Sequence, residues 1–232
     1  ITTKGVDVLL CVETSDTALL SQSGTSTATP VVTATLGLLQ EHYFNTNGNY
    51  MKAATAKGLI LHTADEAGTT PGPDYRFGWG LLNAEKAAST ISNNQTSSLI
   101  QELELFQGET ITYQVKAQGG SIPLIASVSW TDPAGSPVTN FDVDDTTPAL
   151  VNDLDVRITK NTTTYFPWKL GGMANRTLPA TNADNTVDPF EKIEVNNAIS
   201  NDVYTVTISH KGTLAYGSQN VSLLVTGITI DC

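Results

Sequence analysis

Ser26 is the side chain best placed in this sequence to act as a nucleophile. It lies in Gly24-Thr25-Ser26-Thr27-Ala28-Thr29-Pro30, a glycine-led turn opening an apolar run that reads as a helix over 27 to about 44. Backbone amides and the positive end of the helix dipole converge at such an entrance and favour negative charge on an oxygen beside it. Pro30 has no N–H, so the Ser26 carbonyl lacks its helical partner and the first turn is loosened. The chemistry this permits is attack of the hydroxyl on a carbonyl carbon. Such an entrance is a place to hold an oxyanion. A serine before a helix is also an ordinary N-cap, so position alone leaves two roles open.

A serine hydroxyl at neutral pH needs a histidine to take its proton and a buried carboxylate to orient that histidine. The chain has three histidines. His42 lies further along the same helix as Ser26, roughly 24 Å away at about 1.5 Å per residue, too far to be the base. His62 falls inside a second helical run, and His210 ends a β-rich run. All three read as structural or surface residues.

A net charge of −11 argues against nucleic acid or an anionic membrane surface as partner. No run approaches the roughly 20 apolar residues of a membrane helix. The acidic, Thr-, Asn- and Gly-rich composition suits a secreted or extracytoplasmic protein. Cys11 and Cys232 admit one long-range disulfide but read as free thiols, and their spacing suggests no metal site. The start at Ile1 lacks the features of a signal peptide, so the chain reads as an internal piece or a processed product.

Val6 to Val12 reads as a buried strand leading into a polar turn. The run from Thr27 carries apolar or small residues in nearly every direction, which predicts a helix buried on all sides. A second helix is expected over 50–64 and a third over 81 to about 91. Ser92 to Ser98 reads as a polar linker. Beyond it the helical period gives way to β-rich runs at 109–116, 122–131, 150–159, 192–196, 203–209 and 221–230, the pattern of an antiparallel sandwich. Tyr204, Val206 and Ile208 against Thr205, Thr207 and Ser209 give the plainest inside-outside alternation. In a strand Asp153 and Asp155 share one face. Such a pair repels unless a cation lies between them: calcium, with Asp132 as a third ligand, or a solvated face balanced by Arg157.

The stretch Gly-Thr-Ser-x-Ala-x-Pro at 24–30, followed by Val31-Val32-Thr33-Ala34, resembles the nucleophile motif of the subtilisin-like serine proteases. Gly72-Pro73-Asp74-Tyr75-Arg76-Phe77-Gly78-Trp79-Gly80-Leu81-Leu82-Asn83-Ala84 resembles the Gly-x-Gly-x-x-Asn-Ala segment that closes the same catalytic domain. The resemblance implies Ser26 as nucleophile, its own amide helping to hold the oxyanion, with Gly24 and Thr25 shaping the turn. Thr27 stands where the family usually has Met, a departure that touches helix packing more than chemistry. The family's Asp-Ser-Gly or Asp-Thr-Gly turn and its His-Gly-Thr helix start do not occur, and nothing marks its separate oxyanion asparagine. All would lie upstream of Ile1, with most of the parallel sheet and the substrate pockets.

Trp130-Thr131-Asp132-Pro133-Ala134-Gly135 and Leu150-Val151-Asn152-Asp153-Leu154-Asp155-Val156 resemble the jelly-roll domain that follows the catalytic domain in one branch of that family, akin to the convertases' P domain. Calcium is known in such domains. The expectation is therefore an α/β subtilisin-like segment, mainly helical here, over 1–96, and a jelly-roll β-sandwich over 97–232. The implied function is a serine endopeptidase acting on protein or peptide substrates, with this chain an inactive C-terminal portion that needs its N-terminal catalytic partner. The rival is a secreted, non-catalytic β-sandwich for binding or adhesion, attached to a protease remnant.

Overall fold

The computed structural model describes residues 1–137 and 148–230. A hairpin comes first, β1 (Val8–Cys11) against β2 (Leu19–Gln22), with Val8 facing Gln22 and Cys11 facing Leu19. Three helices follow: α1 (Thr25–Asn47), α2 (Ala53–His62) and α3 (Ala84–Ser92). The left-handed Gly48 ends α1, its amide returning to the Phe44 carbonyl. The Asn83 side chain caps α3 by accepting from the Lys86 amide.

The rest of the chain is β. In order come β3 (Ser98–Phe106), β4 (Ile111–Ala117), β5 (Leu124–Trp130), β6 (Asp153–Lys160), β7 (Thr163–Tyr165), β8 (Trp168–Lys169), β9 (Thr181–Asn182), β10 (Phe190–Val195), β11 (Val203–Lys211), β12 (Ser218–Thr226) and β13 (Ile228–Thr229). One sheet runs β10-β5-β12-β3 and the other β13-β4-β11-β6-β7, and every pairing in both is antiparallel. Between them lies a sealed core to which β5 gives Leu124, Ala126, Val128 and Trp130, β6 gives Leu154, Val156 and Ile158, and β11 gives Tyr204, Val206 and Ile208. The alternation read from Tyr204 to Ser209 is present as expected.

The four-stranded sheet is covered on both faces. Strand alternation turns Leu223 and Val225 toward the sandwich core and Ser222 and Leu224 the other way, where Leu224 joins the helices in a second cluster with Leu39, Tyr43, Leu59, Ile60 and Ile91. Helix α2 lies on this outer face. Gly58 permits the close approach, since a Cβ there would run into the Ser129 hydroxyl. The Ser127 and Ser129 hydroxyls, a polar outer face by sequence, are thereby buried beneath a helix.

Several expectations need correction. The strand at 6–12 is not buried: β1 is half exposed, and β2, its only strand neighbour, is exposed throughout. Helix α1 is buried along one stripe only, through Thr27, Leu39 and Tyr43, while Leu38 is 68% exposed and Val31 and Phe44 are also open. Val32 and Leu36 pack partly against the same cluster and Phe44 stacks on Tyr50, while Val31 and Leu38 stay open, so an all-apolar pattern did not mean all-round burial. The stretch at 92–98 is no loose linker. The Ser98 hydroxyl donates to the Thr90 carbonyl at 2.7 Å, the Ile100 amide donates to Asn94 Oδ1 at 2.9 Å, and β3 starts at once. β3 escaped notice because Glu102 and Glu104 break its apolar look. Glu102 in fact points at α2, where Oε1 accepts from the Lys52 amide and the Thr55 hydroxyl. The reading of Cys232 lies outside the described residues; Cys11 is a free, exposed thiol.

Candidate active site

Gly24, with extended backbone, is the N-cap of α1, and it contributes no side-chain cap. Thr25 and Ser26 therefore occupy the first helical turn, so Ser26 is not the N-cap. Its hydroxyl is exposed and has no hydrogen bond among the described residues. The Thr27 and Ala28 amides turn back to the Gly24 carbonyl at 3.2 Å each. Helix geometry gives the Thr25 and Ser26 amides no acceptor within the helix, which leaves them facing outward beside the hydroxyl. No acidic side chain occupies the first turn, so nothing offsets the positive helix end there.

Two contacts hold this entrance in place. The Gly24 amide donates to the Gly5 carbonyl at 2.7 Å, and the Thr27 hydroxyl donates to both the Gly5 carbonyl, at 3.0 Å, and the Gly24 carbonyl, at 2.6 Å. Thr27 is buried, so the departure from the family's usual Met is itself a polar anchor. Any Cβ at Gly5 would stand 2.8 Å from the Gly24 carbonyl oxygen, so position 5 must lack one for the strand to approach this closely.

Residues 1–5 also reach the second motif. The Thr2 amide donates to the Gly80 carbonyl at 2.8 Å, the Leu82 amide donates to the Thr2 carbonyl at 2.8 Å, and the Thr2 hydroxyl donates to the Phe77 carbonyl at 2.8 Å. The two motifs, some fifty residues apart, are thus stitched together by the opening segment, residues 1–5. Beside the seam opens a cleft of about 640 Å³ lined by Gly24, Thr25, Ala28, Val32, Thr2 and Arg76. Within the second motif, Asp74 Oδ1 accepts the Arg76 and Phe77 amides and closes a tight turn, and Asn83 Nδ2 donates to Asp65 Oδ2 at 2.8 Å. Asp65 also pairs with Lys86, and that bond leads the influences holding its carboxyl below the usual range.

No histidine is brought to Ser26. His62 is fully buried, with Nδ1 2.7 Å from the Ser127 hydroxyl and Nε2 2.9 Å from the Thr226 hydroxyl. Burial, aided by the nearby positive charge of Lys192, pushes its pKa down to about 3, which keeps the ring neutral. His42 Nε2 bonds the Ser92 hydroxyl at 2.8 Å, and His210 Nε2 accepts the Gly108 amide at 2.7 Å. Among the described residues the site presents an exposed hydroxyl beside the first-turn amides of α1, with no histidine bonded to it.

Asp153, Asp155 and Asp132 are not assembled as a trio. Asp132 spends both carboxylate oxygens on backbone, accepting the Val151 amide at 2.7 Å and the Asn152 amide at 2.9 Å. Asp153 and Asp155 do share a face, and Lys211 Nζ stands against both, 3.4 Å from Asp153 Oδ2 and 2.8 Å from Asp155 Oδ1, with Arg157 2.7 Å from Asp155. An ammonium and a guanidinium thus offset the repulsion. That arrangement does not fit a calcium ion, and no three His, Cys, Asp or Glu side chains could hold a metal among the described residues.

Comparison with known proteins bears on the same stretch. Residues 6–80 match the model of the subtilase family, peptidase S8. A serotype-specific antigen 1 of Mannheimia haemolytica is 35% identical over 71 residues, which is 31% of this chain and 7% of that protein. The autotransporter lipoprotein NalP of Neisseria meningitidis is 40% identical over 65 residues, 28% of this chain and 6% of that protein. A serine protease/ABC transporter B family protein, tagA, of Dictyostelium discoideum is 27% identical over 158 residues, 61% of this chain and 8% of that protein. The chain thus spans less than a tenth of each of these relatives. A crystal structure of a serine protease of Aeromonas sobria overlaps 89% of this chain and 44% of its own, at 11% identity and a TM-score of 0.25, too slight an overlap to argue from. The chain resembles the subtilisin-like serine proteases, and residues 6–80 carry that resemblance.

Proposed function

We propose that Ser26 is the nucleophile of a subtilisin-like serine endopeptidase whose base, orienting carboxylate and oxyanion asparagine come from sequence outside these 232 residues. The observation that carries this reading is the free Ser26 hydroxyl, exposed in the first turn of α1 within the stretch that matches the subtilase model. In that reaction Ser26 Oγ attacks the scissile carbonyl, the Ser26 amide and the helix end stabilise the oxyanion, and water releases the acyl group. Residues 1–96 would then be the closing part of the catalytic domain. The open apolar flank of α1, Val31 and Leu38, supports this reading as a surface suited to pack against the rest of that domain.

Residues 97–232 we take as a jelly-roll sandwich akin to the P domain. The order β10-β5-β12-β3 facing β4-β11-β6-β7, with strands remote in sequence paired across both sheets, supports this reading. Relatives that include an autotransporter lipoprotein support an extracytoplasmic setting, with proteins or peptides as substrate. No helix among the described residues is long and apolar enough to cross a membrane.

A fluorophosphonate probe tests the reading. It should label Ser26 in the full-length parent and leave this chain alone unlabelled, with Ser26→Ala abolishing the parent's labelling. An unlabelled but folded parent would move the reading to a non-catalytic binding sandwich.

A further inference from the structure

Glu191 is the one carboxylate placed wholly inside the protein among the described residues, at 0% exposure. It lies near the start of β10, opposite Val128 of β5, and its carboxyl reaches toward β6. Oε2 accepts the Val156 amide at 2.7 Å and makes a long ion-pair contact of 3.4 Å with Arg157 Nη1. Oε1 is buried and has no partner among the described residues. An ionised carboxylate with one bare oxygen is costly in such a place, whereas the neutral acid is tolerated.

The charged groups around it do not reverse this. From β6 come Arg157, Asp155 and Asp153, from β11 Lys211, and from the segment before β10 Asp184. Arg157 and Lys211 are themselves bonded to Asp155 and Asp184, so their charge is largely answered before it reaches Glu191. Lys192 pairs with Glu194 at 2.7 Å. Strand β5, alongside, presents no ionisable side chain to it.

The residues next to Glu191 face the other way, toward the helical part. Phe190 meets Trp79 of the second motif edge to face, with ring centroids 4.7 Å apart. The Pro189 and Trp130 carbonyls accept from Lys57 Nζ of α2 at 2.9 and 3.0 Å. Glu191 shares its face with Val128, which lies in the core between the sheets, so its carboxyl joins β10 of one sheet to β6 of the other.

We propose that Glu191 is a proton-binding residue that makes the closure of the two sheets on each other sensitive to pH, firm when the carboxyl is protonated and loosened when it ionises. Burial pushes its pKa up to about 8, which places the change near neutrality. Because the folded protein holds a proton that the unfolded chain gives up near its ordinary value of 4.5, the contribution is largest at low pH and is lost as pH rises through about 8. His62 has the opposite sign, since its pKa is lowered, and it offsets Glu191 below about 6.5. The loss should thus emerge between about pH 6.5 and 8, where one proton changes the folding constant about tenfold per pH unit.

The test is the pH dependence of stability in the full chain. Wild type should lose about tenfold in folding constant per pH unit over that window, and Glu191→Gln should be flat there, with the protection factors of β10 and β6 amides, corrected for intrinsic exchange, becoming independent of pH. Parallel curves for the two proteins would overturn the proposal. Should the Gln variant fail to fold, wild-type unfolding followed by calorimetry in two buffers of different ionisation enthalpy at pH 7.5 counts protons directly. Release of most of one proton is expected, and no release would equally overturn it.

Discussion

Helix α1 and strand β11 carry similarly apolar sequences and meet opposite fates. Tyr204, Val206 and Ile208 of β11 are sealed between two sheets, whereas Val31, Leu38 and Phe44 of α1 face outward. The lesson is that the β part closes its own core, while the part bearing Ser26 is finished on only one side. That finished side is the one turned to the sandwich: α2 lies on β5 and β12, and His62, Lys57 and Ser129 bond across the seam.

The largest expected contrast is catalytic. In the full-length protein, Ser26→Ala should lower turnover by about six powers of ten, as loss of the nucleophile does in such enzymes, while leaving the melting temperature of this chain unchanged. Measuring peptide hydrolysis and melting on the same variant separates the two, and a melting shift alone would recast Ser26 as structural.

Packing should differ nearly as sharply. Trp130→Ala, at a fully buried position, should cost about 3–5 kcal/mol in denaturant unfolding. Leu38→Asp should stay within about 0.5 kcal/mol in this chain, because its side chain already meets solvent. In the full-length protein the same Leu38→Asp should be strongly destabilising, and a neutral result there would remove the case for a packing partner on α1.

The seam itself sets an acid limit. His62 is held neutral with a pKa of about 3, so the folded state binds fewer protons than the unfolded chain below the ordinary value of 6.5. That stability is complete above about 6.5 and is lost as pH falls toward 3, by about tenfold per unit. Subtracting the melting profile of His62→Gln from that of wild type isolates this term, and a difference independent of pH would refute it.

The smallest effect expected is at the acidic pair. Because Lys211 and Arg157 already answer Asp153 and Asp155, Asp153→Asn should shift melting equally in calcium and in chelator. A shift that depends on calcium would restore the ion to that face.

The nucleophile was legible in the residues alone, because a glycine-led turn, a serine and an apolar helix follow from local chain chemistry over seven positions. So was the β character of the second part, since a period of two survives in Tyr204 to Ser209. Asp153 and Asp155 sharing a face was equally local. What lies on that face was not, for Lys211 arrives from β11, 56 residues beyond Asp155. Ser127, Ser129 and Glu102 are polar residues set among apolar neighbours, with nothing local to mark them as covered, yet α2 bonds all three. Glu191 gave no sign of burial, having the ordinary look of a charged residue in a short strand. Local periodicity is written in neighbouring residues, so the sequence determined which elements form and where a hydroxyl could be presented. Burial is decided by which distant surface lands on each face, and only the tertiary structure supplies that for α1, the serines of β5, and Glu191.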